Sequence, residues 1–287
     1  MKKCLKTNVV GVSLIAVMMM VSCNKDENTS DLGNDEVITA TELKASDEGE
    51  LISEEIIGIA EDVYAEDEIS ATGKYGFRSD YLPECAIVTT VVTDTTIERT
   101  IDFGMGCELP NGNYLAGIIY LEYAKDMEMA TKTIGLSLEN FSFNRVAVAG
   151  SASVVRQRSN GNGNPQSDAS WTFEGVWPND DTFSFNGNRT REWIEGYASG
   201  FWSDNVFLIT GKGSFKGRLG NVFEKEIQKP LRREWSCRFI VSGSMLISRN
   251  DASVTLDFGE GSCDGKGLLT YADGSTKEIF LRRFSAD

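Results

Sequence analysis

Histidine is absent from the 287 residues. Its absence excludes Ser-His-Asp and Cys-His catalysis, HExxH zinc sites and imidazole acid–base chemistry. Any catalysis would rest on carboxylates, lysine, tyrosine or a bound ion. Proline is scarce, at five residues, which suits a sheet, because proline removes a ladder N–H. No CxxC pair occurs among the six cysteines, and the sequence points to no metal and no cofactor. No basic cluster of the size that grips phosphates is visible, so nucleic acid is not an expected partner.

What is abundant is acid, giving a formal charge of −15. It is unevenly placed. Residues 24–71 hold 16 Asp or Glu against 2 Lys, whereas residues 72–287 hold 27 acids and 23 bases. The acidity belongs to a leader, and residues 23–46 read as a solvated, self-repelling tether. Within the leader, Leu51, Ile52, Ile56, Ile59, Ala60 and Val63 recur at three- and four-residue steps. Glu50, Glu54, Glu55, Glu61 and Asp62 fall between them. That spacing predicts an amphipathic helix over about 47–66, within a segment 47–71. Its apolar stripe is expected against the body as a lid or plug, with a transient helix in the tether as the alternative.

Before the leader, Lys2, Lys3 and Lys6 precede an apolar run from Val9 to Val21. This run has the length of a signal-peptide core and is too short for a bilayer span. It ends in Met20-Val21-Ser22-Cys23, which resembles a bacterial lipobox. The following Asn24-Lys25-Asp26-Glu27 resembles the export signal of Bacteroidetes-type surface lipoproteins with a β-rich body of unassigned role. The resemblance implies a signal peptide over 1–22, acylation of Cys23, and lipid anchoring in the outer membrane, exposed at the cell surface. The membrane is then a partner through the anchor, with a glycan or another envelope protein as the further candidates. No activity is carried over.

From Cys85 onward the pattern changes to short β-branched and aromatic runs. Examples are Ala86 to Val92, Tyr114 to Tyr123, Val146 to Val155, Val206 to Thr210, Phe239 to Ile247 and Ile279 to Phe284. Turn signals are Asn111-Gly112, Asn186-Gly187, Asn250-Asp251 and Asp273-Gly274. The expectation is a mainly β body over 72–287, a large antiparallel meander of about 13–16 strands forming a barrel, half-barrel or sandwich. The Ser159–Asp168 stretch, rich in Asn and Gly, reads as an exposed mobile loop or a hinge.

An internal repeat relates 85–123 to 237–271. Its shared form is T-[IL]-D-F-G-x-G followed by Cys, at Thr100–Cys107 and Thr255–Cys263. Cys85 and Cys107 are equidistant from residue 96, and Cys237 and Cys263 from residue 250. Each pair is therefore expected to meet across its own hairpin as a disulfide. Asp102 and Asp257 read as caps of their own turns rather than calcium ligands.

The segment Asn188 to Tyr197 carries the candidate ligand-binding residues. As a strand it sets Arg189, Arg191, Trp193, Glu195 and Tyr197 on one face. Arg232-Arg233-Glu234-Trp235 partly echoes it, and Trp171, Trp177 and Trp202 lie in the same central part of the chain. Three readings are open. The row stabilises the sheet through ion pairs and Arg–aromatic stacking. It lines a glycan or peptide groove. Or its carboxylates are catalytic, although Glu192 and Glu195 point to opposite faces and would need Glu234 or Asp204 as partner. The function expected is a non-enzymatic binding or envelope-structural role, with glycan binding or carriage of a hydrophobic ligand as alternatives.

Overall fold

The computed structural model describes residues 38–73 and 78–281. The expected signal 1–22, Cys23 and the tether up to residue 37 lie outside these residues. Among the described residues a single α-helix, α1 (Ala40–Ala71), is followed by strands and one short 3-10 turn, Trp202–Asp204. The strands of the first half are β1 (Ile87–Val92), β2 (Thr96–Asp102), β3 (Cys107–Glu108), β4 (Tyr114–Ala124), β5 (Thr131–Phe143), β6 (Val146–Gln157) and β7 (Gln166–Val176). The second half holds β8 (Thr182–Glu195), β9 (Val206–Lys216), β10 (Val222–Glu234), β11 (Ile240–Arg249), β12 (Ala252–Glu260), β13 (Lys266–Tyr271) and β14 (Thr276–Phe280).

All 14 strands belong to one sheet whose order follows the chain, except that β3 pairs only with β4. Every pairing is antiparallel, as a meander requires. Among the described residues β1 and β14 do not pair, so the sheet is open and not the barrel that was one expectation. Register shifts interrupt the ladders of β4–β5, β5–β6, β8–β9, β9–β10, β10–β11 and β11–β12. Each bulge adds local bend and twist, and together they curl the sheet. At one of them Gly117 has φ 82°, and a Cβ there would lie 2.2 Å from the Asn140 carbonyl oxygen. No side chain fits that crossing.

The helix starts at Ala40, earlier than residue 47, because Thr39 and Glu42 form a reciprocal capping box that satisfies otherwise orphaned N–H groups. It ends where Gly73, at φ 95°, turns the chain out of helical geometry. At 32 residues it runs about 48 Å. Its burial departs from the expected amphipathic pattern: Ile52, Ile56, Ile57, Ile59 and Val63 are buried, and so are Glu48, Glu50, Glu54, Glu55, Glu61, Asp62 and Glu68. Acids that read as a solvent face are inside. The helix is the plug of the curled sheet, with inward side chains such as Phe173, Phe207, Phe215, Trp193 and Trp235 packed in the same core. No helix among the described residues is long and apolar enough to cross a membrane.

The turn expectations divide. Asn250-Asp251 and Asp273-Gly274 lie in hairpin turns, as expected. Asn186-Gly187 does not. It lies within β8, and Gly187 is there because a Cβ would come 2.9 Å from both the Trp171 ring and the Lys212 carbonyl oxygen. The Ser159–Asp168 stretch is a loop up to residue 165, exposed at 161–163 as expected, and it is no hinge, because β6 and β7 pair directly on either side of it. It is a hairpin connection in which Asn160 Oδ1 accepts from the Asn162 and Asn164 amides, while the side chains of Asn162 and Asn164 donate to Glu192.

Both expected disulfides are present, Cys85–Cys107 and Cys237–Cys263, each with Cα atoms 5.7 Å apart. The first does not sit opposite itself on one ladder, because β1 and β2 pair about a turn at 94–95 and Cys107 belongs to β3. The Gly104–Gly106 turn absorbs the offset. Asp102 and Asp257 each accept from the amide two residues on, at Gly104 and Gly259. They are turn caps.

Candidate functional site: a charged core between helix and sheet

Helix α1 carries eleven Asp or Glu and one Lys. Seven buried or half-buried cations of the surrounding strands pair with those acids: Arg99, Arg156, Arg189, Arg191, Lys225, Arg233 and Arg249. Along β8 the odd positions Phe183, Phe185, Arg189, Arg191 and Trp193 point in, and even positions such as Thr182 and Glu192 do not.

The contacts form stations along the helix. Glu42 accepts from Arg249 at 2.7 Å and from Asn221 at 3.0 Å. Glu48 accepts from the Trp177 indole N–H at 2.9 Å. Glu50 takes a two-pronged contact from Arg189 and lies 2.9 Å from Lys225 Nζ. Arg191 bridges Glu54 and Glu61. Glu55 gathers Tyr81, Asn111 and Asn113 as donors, with Arg233 at 3.6 Å. Asp67 binds Arg99 and Tyr123. Glu68 accepts from Arg156 at 3.0 Å and Tyr197 at 2.9 Å. Rings cover the guanidinium planes: Arg191 lies 4.7 Å from the Phe207 centroid, Arg189 5.4 Å from Trp171, and Arg156 5.7 Å from Trp193.

These surroundings set the charge states. Burial opposes ionisation of Glu50, but Arg189 and Lys225 outweigh it and hold the carboxyl at about 2. Burial pushes Glu61 up to about 7, against the pull of Arg156 and Ser167. One guanidinium, Arg191, serves both Glu54 and Glu61. Asp62 is also raised to about 7, first by burial and further by Glu66, Asp80 and Glu61, with only the Ser79 hydroxyl acting the other way.

The candidate ligand-binding row is therefore used internally. Arg189, Arg191 and Trp193 are buried against the helix, and no glycan face is available on them. Tyr197 is half-buried and donates to Glu68. Only Glu195 reaches solvent, where it pairs with Arg232 at 2.9 Å. The expected pairing between strands thus holds for Arg232 and Glu195, whereas Arg232 and Glu234 pair within β10 and the other arginines pair with a helix the strand pattern could not reveal. The carboxylates weighed for catalysis have structural partners. Glu192 sits below the usual carboxylate range because Asn162, Asn160 and Asn164 donate to it. Glu234 holds Arg232, and Asp204 accepts from Ser199 at 2.9 Å.

The sequence reading missed Glu50, Glu55 and Glu68 as organising groups, together with Tyr81, Asn111 and Asn113. The available signal was a helix with acids on every face beside strands with arginine at alternate positions. A recess beside Trp193, lined also by Asp62, Ser79, Gly196 and Asn205, has room for about one water molecule. Among the described residues no three His, Cys, Asp or Glu are grouped to hold a metal ion.

The fold and its core define an open, curled antiparallel meander built around an acidic helix. No protein-family model matches the chain, and neither does any curated protein or solved structure.

Proposed function

We propose that the chain is a lipid-anchored envelope protein whose body has a non-enzymatic binding or structural role. The anchor reading rests on the basic start, the apolar run and the lipobox-like Met20–Cys23. The role rests on one observation. The interior arginines and acids that could have formed a reactive or ligand-binding site are consumed in holding α1 within the sheet. A hydrophobic-ligand carrier needs an empty apolar lumen, and here the helix fills the space. A glycan-binding role would have to use a surface other than Arg189, Arg191 and Trp193.

Metabolic labelling with radioactive palmitate, followed by protease treatment of intact cells, tests the reading. The expected result is label in the wild type, none in Cys23→Ala, and loss of the body to protease added outside. An unlabelled wild type overturns the anchor. A labelled chain that resists the protease on intact cells but not on lysed ones moves it to the inner side of the outer membrane. Purification of the wild type without detergent and with a stoichiometric apolar molecule bound would restore the carrier in place of the structural role.

A further inference from the structure

Strand β1 has one neighbour. Its six residues pair without interruption to β2, from Ile87 opposite Asp102 to Val92 opposite Ile97. Its other edge is unpaired among the described residues. Sheets protect such edges with charge, proline, bulges or shortness, because a free edge is a template for another strand. The opposite edge of this sheet follows that rule: β14 has five residues and carries Lys277 and Glu278. Strand β1 does not. It reads Ile-Val-Thr-Thr-Val-Val, with no charge, proline, glycine or bulge. Ile87, Val91 and Val92 are 60%, 57% and 55% exposed.

The internal repeat indicates what belongs there. The motif Ile101–Gly104 begins in the last two residues of β2, and its counterpart Leu256–Gly259 lies in the second half of β12, so hairpin β1–β2 corresponds to hairpin β11–β12. In the second copy of the repeat, the edge equivalent to the free one is filled by β10, antiparallel, with Lys225 opposite Ile247 and Glu224 opposite Ser248. The first copy lacks that strand within the described chain.

We propose that this edge pairs with β1 of a second copy of the same chain, about a two-fold axis at Thr90. Antiparallel pairing of a strand with itself is self-complementary and closes at two copies. With Thr90 opposite Thr90, Val88 faces Val92 of the second copy and Thr89 faces Val91. The inward faces then remain on one side, as strand alternation requires. β-branched residues meet β-branched residues, a favourable cross-strand class, and no like charges are opposed. Val88 already packs partly against the core, so the pairing extends an existing apolar layer. Pairing β1 with β14 instead would set Lys277 and Glu278 against an uncharged strand and would add copies head to tail without closing.

The test uses the full chain carrying Cys23→Ser, so that no acyl group drives association. Sedimentation equilibrium up to about 100 µM should show dimers, since a single strand pair gives modest affinity. Thr90→Lys and Thr90→Asp each oppose like charges on the axis and should weaken association at least about tenfold. Both changes fall at an exposed position of the monomer, and circular dichroism should match the wild type. Mixing the two variants should restore a one-to-one dimer, which an unfolded variant could not do. A wild type that stays monomeric overturns the proposal. So does a dimer indifferent to both variants, or an assembly that grows beyond two copies.

Discussion

Arg189 and Glu50 meet as two parallel forks: Nε donates to Oε1 at 2.9 Å and Nη2 to Oε2 at 2.8 Å, with both side chains buried. Residues 139 positions apart are joined across the helix–sheet boundary. Removing one partner leaves the other charged and unsolvated. Arg189→Met is expected to destabilise by about 3–5 kcal/mol, while Arg232→Met, at a half-exposed pair, should cost less than about 1 kcal/mol. Urea denaturation of the two variants measures the contrast. Equal effects would mean that the fork does not organise the core.

Gly58 brings the helix backbone against Trp235. A Cβ there would lie 3.0 Å from the Trp235 ring and 3.5 Å from Arg191. Helix propensity alone would make Gly58→Ala favourable by about 1 kcal/mol. Crowding opposes it, and Gly58→Val, larger and β-branched, should destabilise by about 1–3 kcal/mol. Thermal melts of both variants check this. A stabilised Gly58→Val would show that the helix can move away from the sheet at no cost.

Stability should fall on both sides of mildly acid pH. Glu50 is depressed in the folded state, so its contribution is present above the ordinary carboxylate range and is lost as pH falls toward about 2. Asp62 is raised, so its contribution is complete at low pH and is lost as pH rises through about 7. Asp62→Asn should shrink the limb toward higher pH, leaving the share that Glu61 contributes, and keep the acid limb in place. Midpoints of urea unfolding between pH 3 and pH 9 would show this, and an unchanged alkaline limb would count against a strained Asp62.

The two disulfides close loops over separations of 22 and 26 residues. Chain entropy gives each about 3 kcal/mol. Paired Cys→Ser changes at either site should lower stability by about that amount, and the two losses should add because the sites lie in different hairpins. Differential scanning calorimetry of the single-bridge and bridge-free chains tests the additivity.

The strands were largely legible because they depend on period-two alternation and local turns, as in Tyr114–Ala124 and Val146–Gln157. The helix was legible as an element but not in its surroundings. Its acids at Glu54, Glu61 and Glu68 match what a solvated face would carry. Only the arginines some 90 to 140 positions later make burial affordable, and no local window contains both. Asn186-Gly187 misled for a related reason: the need for a missing side chain comes from Trp171 on a neighbouring strand, which turn chemistry cannot register.

Among the described residues the first and last strands do not pair, which bears on how the helix can be enclosed. A ring already shut would force α1 to thread lengthwise through its bore. With a seam, the helix can settle sideways onto the early hairpins while later ones are laid over it. The ion pair between Glu42 at the start of α1 and Arg249 in β11 spans 207 positions, a separation with a large loop-closure entropy.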